Sequence, residues 1–188
     1  MKPAAAVAAF VGVGVVVLLT AAGGGSPVVG VQRVGDRMKG QLGRFFSWAE
    51  VTASGAASRL GLDNTPPPEA QSALERLVAV VLDPLRSQLG RPIVVTSGYR
   101  SAVVNRAVSG SPTSQHMSGE AVDIKATGLS AEQLAGAIVR TGLPFDQVIW
   151  YAPERGGHVH LSYTEKRPNR REVLYAPAAG GYTPSAAP

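Results

Sequence analysis

The chain has 188 residues and a formal net charge of +5, with charged residues making up only 16% of it. Its 45% apolar content is enough to build a core, which excludes wholesale disorder. The absence of cysteine excludes a disulfide framework, thiolate zinc fingers, a cysteine nucleophile and a lipid-modified cysteine anchor.

In chain order, the first feature is Ala4 to Ala22, an uncharged run in which Thr20 alone is polar. Lys2 precedes it, and Gly23-Gly24-Gly25 follows where a signal peptidase would cut. Residues 1–22 read as an export signal or an uncleaved membrane anchor. Either reading sends the rest of the chain across a membrane or tethers it there, to the periplasmic or cell-wall side. Membrane contact is expected through residues 4–22 if they are retained. Residues 23–42 carry glycine, valine and basic residues without a period and are expected to be a linker. The folded domain is expected over 43–176. The Ala/Gly/Pro/Ser-rich segment 177–188 is expected to be a disordered tail.

Within the domain, Ser47 and Glu50 form a capping box that opens a helix over 47–59. Leu60 to Pro68 is turn-rich. Ala70, Leu74, Leu77, Val78, Val81, Leu85 and Leu89 make a helical stripe over 69–89, in which Pro84 should kink or shorten the helix. Pro92 to Ser97 reads as a strand and Ser101 to Val108 as a short helix. Ala121 to Ala126 is a second strand. Ser130 with Gln133 caps a helix that runs to Thr141 and stops at Gly142. Asp146 to Tyr151 and His158 to Tyr163 are further strands. Few strands, with helices gathered before and between them, predict an α+β domain. The basic cluster Lys166, Arg167, Arg170 and Arg171 lacks interleaved aromatics, so no nucleic-acid partner is expected.

All three histidines fall in two short segments. The first is Ser114-Gln115-His116-Met117-Ser118-Gly119-Glu120-Ala121-Val122-Asp123. The second is Gly157-His158-Val159-His160-Leu161-Ser162. Two histidines and a carboxylate are a ligand set for a catalytic zinc, which keeps a further position open. In a helix His116 and Asp123 would stand about 10 Å apart along the axis, and in an extended strand about 23 Å. Neither spacing lets both reach one ion, so the chain must fold back between them, and Ser118-Gly119 is where it can. His158 and His160 share one strand face about 7 Å apart. One can bind a metal while the other faces substrate.

At these residues the sequence resembles the zinc D-alanyl-D-alanine carboxypeptidases and related phage and bacterial murein peptidases, of the peptidase M15 type. Ser-x-His-x-x-Gly-x-Ala-x-Asp, read from Ser114 to Asp123, is that family's signature. Ser97-Gly98-Tyr99-Arg100-Ser101 with Asn105, Leu82-Asp83-Pro84-Leu85-Arg86, Phe145-Asp146-Gln147, His158 to Ser162 and Asn169-Arg170-Arg171 extend the likeness over about 43–176. The resemblance implies a small antiparallel sheet, packed with helices, that carries one zinc per chain on His116, Asp123 and His160. It places Arg100 beside the site, where its fork would hold a substrate carboxylate or the developing oxyanion; a buried ion pair is the plainer alternative. Ser114 would orient substrate or a ligand, or else cap its turn.

One position departs from the pattern. Many family members carry an acidic general base three residues before the last histidine ligand, and here that residue is Gly157. His158 matches the His-x-His of a wider group that includes lysostaphin-like peptidases, and Glu154 is the nearest upstream carboxylate. These two are the candidate proton-transfer residues. Asp146 resembles a structural position, and Glu120 sits in the turn between ligands. The implied activity is hydrolysis of peptidoglycan stem peptides, as a carboxypeptidase or an endopeptidase, by a monomer of bacterial or phage origin. The alternative is a non-catalytic, zinc-containing cell-wall-binding module.

Overall fold

Ser47 starts the first helix as its spacing predicts. Its hydroxyl accepts from the Glu50 amide at 3.3 Å, and its own amide donates to the Glu50 carboxylate at 2.8 Å. That helix, α1 (Trp48–Thr52), ends early, and a second begins at once as α2 (Gly55–Leu60). The expected single helix over 47–59 is therefore two. Ser54 supplies the break, because its side chain accepts from the Ala57 amide and serves better as a cap than inside a helix. The structure, a computed structural model, describes Met38 and residues 40–185, which belong to one compact unit, Met38–Pro188. The segment 1–22 and all of the expected linker but Met38 and residues 40–42 lie outside the described residues. Among the described residues no helix is long and apolar enough to cross a membrane.

The domain starts earlier than the expected boundary at residue 43. Leu42 and Gly43 donate to the Phe46 carbonyl, Trp48 donates to Gly40, and Gln41 bridges Ser47. Phe46 is wholly buried and Trp48 nearly so, and this backbone turn is what delivers them to the core. Backbone pairing of this kind leaves no periodic trace in side chains.

The long stripe forms α3 (Pro68–Leu77), a π-helical turn (Val78–Leu82) and α4 (Asp83–Leu89), one after another. The run continues past Pro84, but its α-helical ladder gives way to the π turn just before the proline, which falls in the first turn of α4. A proline here has no amide to give and would crowd the carbonyl four residues back. The widened turn absorbs this by pairing the Asp83 amide with the Val78 carbonyl five residues back. Leu74, Leu77, Val78, Val81, Leu82 and Leu85 are buried along it, each large side chain contributing on the order of 2 kcal/mol. The Asp83 carboxylate accepts from the amides of Arg44 and Phe45, which anchors the entering chain.

Six strands follow: β1 (Ile93–Ser97), β2 (Ala121–Ala126), β3 (Gln147–Tyr151), β4 (Val159–Ser162), β5 (Glu172–Ala176) and β6 (Thr183–Pro184). Their order in the sheet is β1-β2-β4-β3-β5-β6, antiparallel except for the parallel pair β3–β5. α5 (Ala102–Ala107) and α6 (Ala131–Arg140) complete the domain. Val122, Ile124, Val148, Val159 and Leu161 share the core with α3, α4 and the Leu134 and Ile138 stripe of α6. The fold is α+β with a mostly antiparallel sheet, as the sequence predicts.

The expected disordered tail needs correction over its described part. Pro177–Gly180 is a turn closed by the Gly180 amide on the Pro177 carbonyl, and Thr183–Pro184 pairs with Tyr175 and Leu174. The segment is ordered from outside itself: the Trp150 indole reaches the Ser185 hydroxyl at 3.3 Å, and Arg155 reaches the carbonyls of Pro177 and Gly181. Composition speaks only of local preference and misses such anchors.

Candidate metal centre and its cleft

The first histidine segment becomes a 3₁₀ turn, Gln115–Ser118, and the chain reverses after it at Gly119. Gly119 has φ +73°, and a Cβ there would lie 2.3 Å from the Ala70 carbonyl oxygen on α3. Both facts require glycine. The reversal leads directly into β2, where Asp123 lies opposite His160 of β4. Side chains alternate along a strand, so Val122 and Ile124 enter the core while Asp123 faces the other way. The predicted turn-then-strand geometry is what the chain adopts.

Three ligand atoms converge. His116 Nε2 is 3.2 Å from Asp123 Oδ1 and 3.2 Å from His160 Nδ1, and His160 Nδ1 is 3.1 Å from Asp123 Oδ1. A tetrahedral zinc with bonds of about 2.1 Å needs ligand atoms about 3.4 Å apart. The triangle therefore fits such an ion with almost no rearrangement. His116 is set for the task by its other nitrogen, because Nδ1 donates to the Gly98 carbonyl at 2.8 Å and leaves Nε2 with the lone pair. Gly98 approaches α1 so closely that a Cβ would stand 1.9 Å from the Val51 carbonyl oxygen, and the Tyr99 amide donates to that oxygen at 2.7 Å. The His116 ring thus hangs from a backbone stack that begins at the capping-box helix.

Burial opposes the charge on Asp123, but its contacts with His116 and His160 outweigh it and hold the carboxyl far below the usual range. Burial also keeps His160 below its ordinary pKa, in the neutral form that metal binding needs. Among the described residues these three are the group able to hold a metal ion.

The triad opens into a cleft of about 600 Å³. Arg100 and Ser114 both line it. Arg100 Nη2 is 3.6 Å from Asp123 Oδ2, an ion pair too long for a hydrogen bond, and its Nε is buried without a hydrogen-bond partner. It therefore stands on the cleft as a largely buried ion partner of Asp123. Ser114 makes no side-chain cap to its turn. His158 and Glu154 do not line the cleft. His158 lies two residues before His160 and stacks on Tyr151, ring centroids 4.3 Å apart, and Tyr151 is a cleft residue. Burial holds His158 below its ordinary pKa, so the imidazole is neutral near pH 7. Glu154 is exposed on the 3₁₀ turn Pro153–Arg155, and the structure does not bring it to the triad.

Other cleft residues escaped sequence reasoning. Arg167 and Arg170 line the rim, aimed by Asp146. Asp146 is wholly buried and accepts from Arg167 Nη1 at 2.6 Å, from Arg170 Nη2 at 2.6 Å and from Gln115 Nε2 at 3.0 Å. Burial opposes its ionisation, yet the two guanidiniums hold its carboxyl far below the usual range. One carboxylate thus ties the basic loop to the turn that bears His116. The basic cluster was visible in the sequence, but its orientation depends on a residue more than twenty positions away. Tyr151 and Tyr182 form the far wall. Burial pushes the Tyr151 hydroxyl up, and the neighbouring Tyr182 hydroxyl at 3.3 Å adds to the shift, so Tyr151 remains a protonated donor.

A family model described as peptidase M15 matches residues 44–162. No curated protein matches the chain.

Proposed function

The chain belongs to the peptidase M15 family, and on that premise we propose that it hydrolyses peptide bonds in peptidoglycan stem peptides with one zinc held by His116, Asp123 and His160. The observation that carries this reading is the triangle of ligand atoms, 3.1–3.2 Å on each side, set in the floor of a cleft edged by three arginines. When bound, zinc supplies Lewis acidity and activates water for attack on the peptide carbonyl.

The remaining work falls to the chain's own side chains. Arg100, on the cleft beside Asp123, suits a carboxylate of the stem or the oxygen that gains charge during attack. Arg167 and Arg170 at the rim add attraction for a stem rich in carboxylates. The Ser114 hydroxyl, unused as a cap, is available to the peptide backbone. His158 is neutral near pH 7 and stacks on the cleft residue Tyr151, which makes it the candidate to take a proton and pass it to the leaving amine. An exported or membrane-tethered chain on the wall side agrees with such a substrate.

A second reading, a zinc-containing wall-binding module without catalysis, is favoured by one observation: among the described residues Asp123 is the only carboxylate lining the cleft. One experiment separates the two. The purified full chain is incubated with peptidoglycan, with zinc or with a chelator, and the released fragments are weighed by mass spectrometry. Zinc-dependent fragments are expected, and their masses identify the bond. Intact wall material from several sources, with zinc bound to the protein, supports the binding module instead. His158→Ala should slow release while Glu154→Ala leaves it unchanged.

A further inference from the structure

The metal ligands begin a row that runs straight across the sheet. Asp123 lies opposite His160, His160 opposite Ile149, Ile149 opposite Leu174, and Leu174 opposite Pro184 of β6. Residues opposite one another in neighbouring strands point to the same face, and strands are spaced about 4.8 Å apart. The cleft floor therefore changes from metal ligands to Ile149 and then Leu174 within about 10 Å, the reach of the one to three peptide residues next to a scissile bond. Both apolar side chains line the cleft.

The wall at this end is built by the C-terminal hairpin. Gly180 and Gly181, at φ +93° and +77°, turn the chain so that Tyr182 faces back over the cleft. Its ring meets Tyr151 edge to face at 6.4 Å, and the two hydroxyls share a hydrogen bond. The Arg155 guanidinium covers both rings, 5.0 Å from Tyr151 and 6.0 Å from Tyr182, and also reaches the hairpin carbonyls. Tyr182 is nevertheless 55% exposed, so its free ring surface faces the cleft and solvent. All of residues 163–185 lie beyond the part of the chain that the family model matches.

We propose that Ile149, Leu174, Tyr151 and Tyr182 form a subsite for an apolar side chain of the peptide substrate, and that Tyr182, brought by the C-terminal hairpin, is its specificity-determining residue. This rests on the peptidase reading above and specifies what the cleft selects. A small apolar side chain gains contact with Leu174 and the Tyr182 ring, whereas a charged one loses its hydration against them.

The test uses the full, zinc-loaded chain with tyrosines isotopically labelled for NMR, the Tyr182 signal being identified by its loss in Tyr182→Phe. A stem tetrapeptide ending in D-alanine is titrated in, followed by an analogue with lysine in place of an alanine. The alanine peptide should shift the Tyr182 signal, and Tyr182→Ala should weaken its binding about tenfold with zinc content unchanged. Tyr182→Phe should retain most of the affinity, and the lysine analogue should bind equally poorly to wild type and Tyr182→Ala. Binding that leaves the Tyr182 signal in place, or equal affinity of wild type and Tyr182→Ala, overturns the subsite. If wild type neither binds nor cuts any stem peptide, the peptidoglycan reading fails by itself. The subsite is then read from a random tetrapeptide mixture, where apolar enrichment by wild type but not by Tyr182→Ala upholds it. Equal enrichment, or no binding of any peptide, overturns it.

Discussion

The two ends of the cleft are held in opposite ways. At the β2–β4 end each ligand is fixed by a neighbour that cannot yield: His116 by the Gly98 carbonyl, the turn by Gly119 against α3, and Asp123 and His160 by adjacent ladder positions. At the β5–β6 end the cleft residues arrive on a short edge strand and a glycine turn, anchored by one arginine and one tryptophan. Tyr182 stays exposed there, whereas His116 is buried. A metal site gains from ligands that need not move, and a substrate wall can tolerate adjustment. The difference accords with the proposed division, chemistry at the first end and selectivity at the second.

The largest expected effect breaks the rigid end directly. His116→Ala removes one of three ligands, and equilibrium dialysis against zinc should show near-complete loss of metal together with loss of peptide hydrolysis. Full zinc occupancy in that variant would sink the ligand assignment.

Next in size is Asp146→Ala, which leaves two guanidiniums without their counter-charge. Denaturant titration should give a loss of about 3 kcal/mol, moderated because both arginines are half exposed and can rehydrate. The pH dependence has a definite sign. The folded-state pKa of Asp146 is depressed, so its stabilisation is full above the unfolded value of about 3.9 and disappears as pH falls below it. Wild type should lose stability on acidification and converge on Asp146→Ala; parallel curves would show that the pair contributes nothing through ionisation.

Gly119→Ala should cost about 2 kcal/mol in the same measurement, since a Cβ would press on the Ala70 carbonyl at a left-handed φ. A wild-type midpoint would mean the turn is not held against α3. Ser114→Ala sharpens the comparison with the smallest effect: a rise in KM of a few fold with stability unchanged, because the hydroxyl makes no cap. A lower melting temperature with KM intact would make Ser114 structural.

Much of the fold was legible because its signals are local. The capping boxes at Ser47 and Ser130, the stripe from Leu74 to Leu89 and the alternation in Ala121–Ala126 each depend on residues within a few positions. The candidate ligand set, which the structure brings together, was legible for a different reason: the chain has few histidines, and they fall in two segments that resemble a family motif. Pro84 marked a local disturbance of the helix, but its form, a widened turn that accommodates the missing amide, is a remedy that composition does not reveal. β5 and β6 were missed because β5 pairs in parallel with a strand more than twenty residues earlier, and β6 has only two residues of its own.

By itself the sequence determined most of the helices and strands up to Ser162 and the reversal at Ser118-Gly119, since turn chemistry and side-chain alternation act over short distances, while His116, Asp123 and His160 stood out as a candidate ligand set through their likeness to a family motif. The tertiary structure alone decided which other groups meet those ligands. Arg167 and Arg170 face the cleft because a buried Asp146 holds them there, Glu154 stays outside it, and Tyr182 enters from a segment whose composition suggests no structure. Those outcomes depend on contacts between residues far apart in sequence, and such contacts form only when the sheet closes around them.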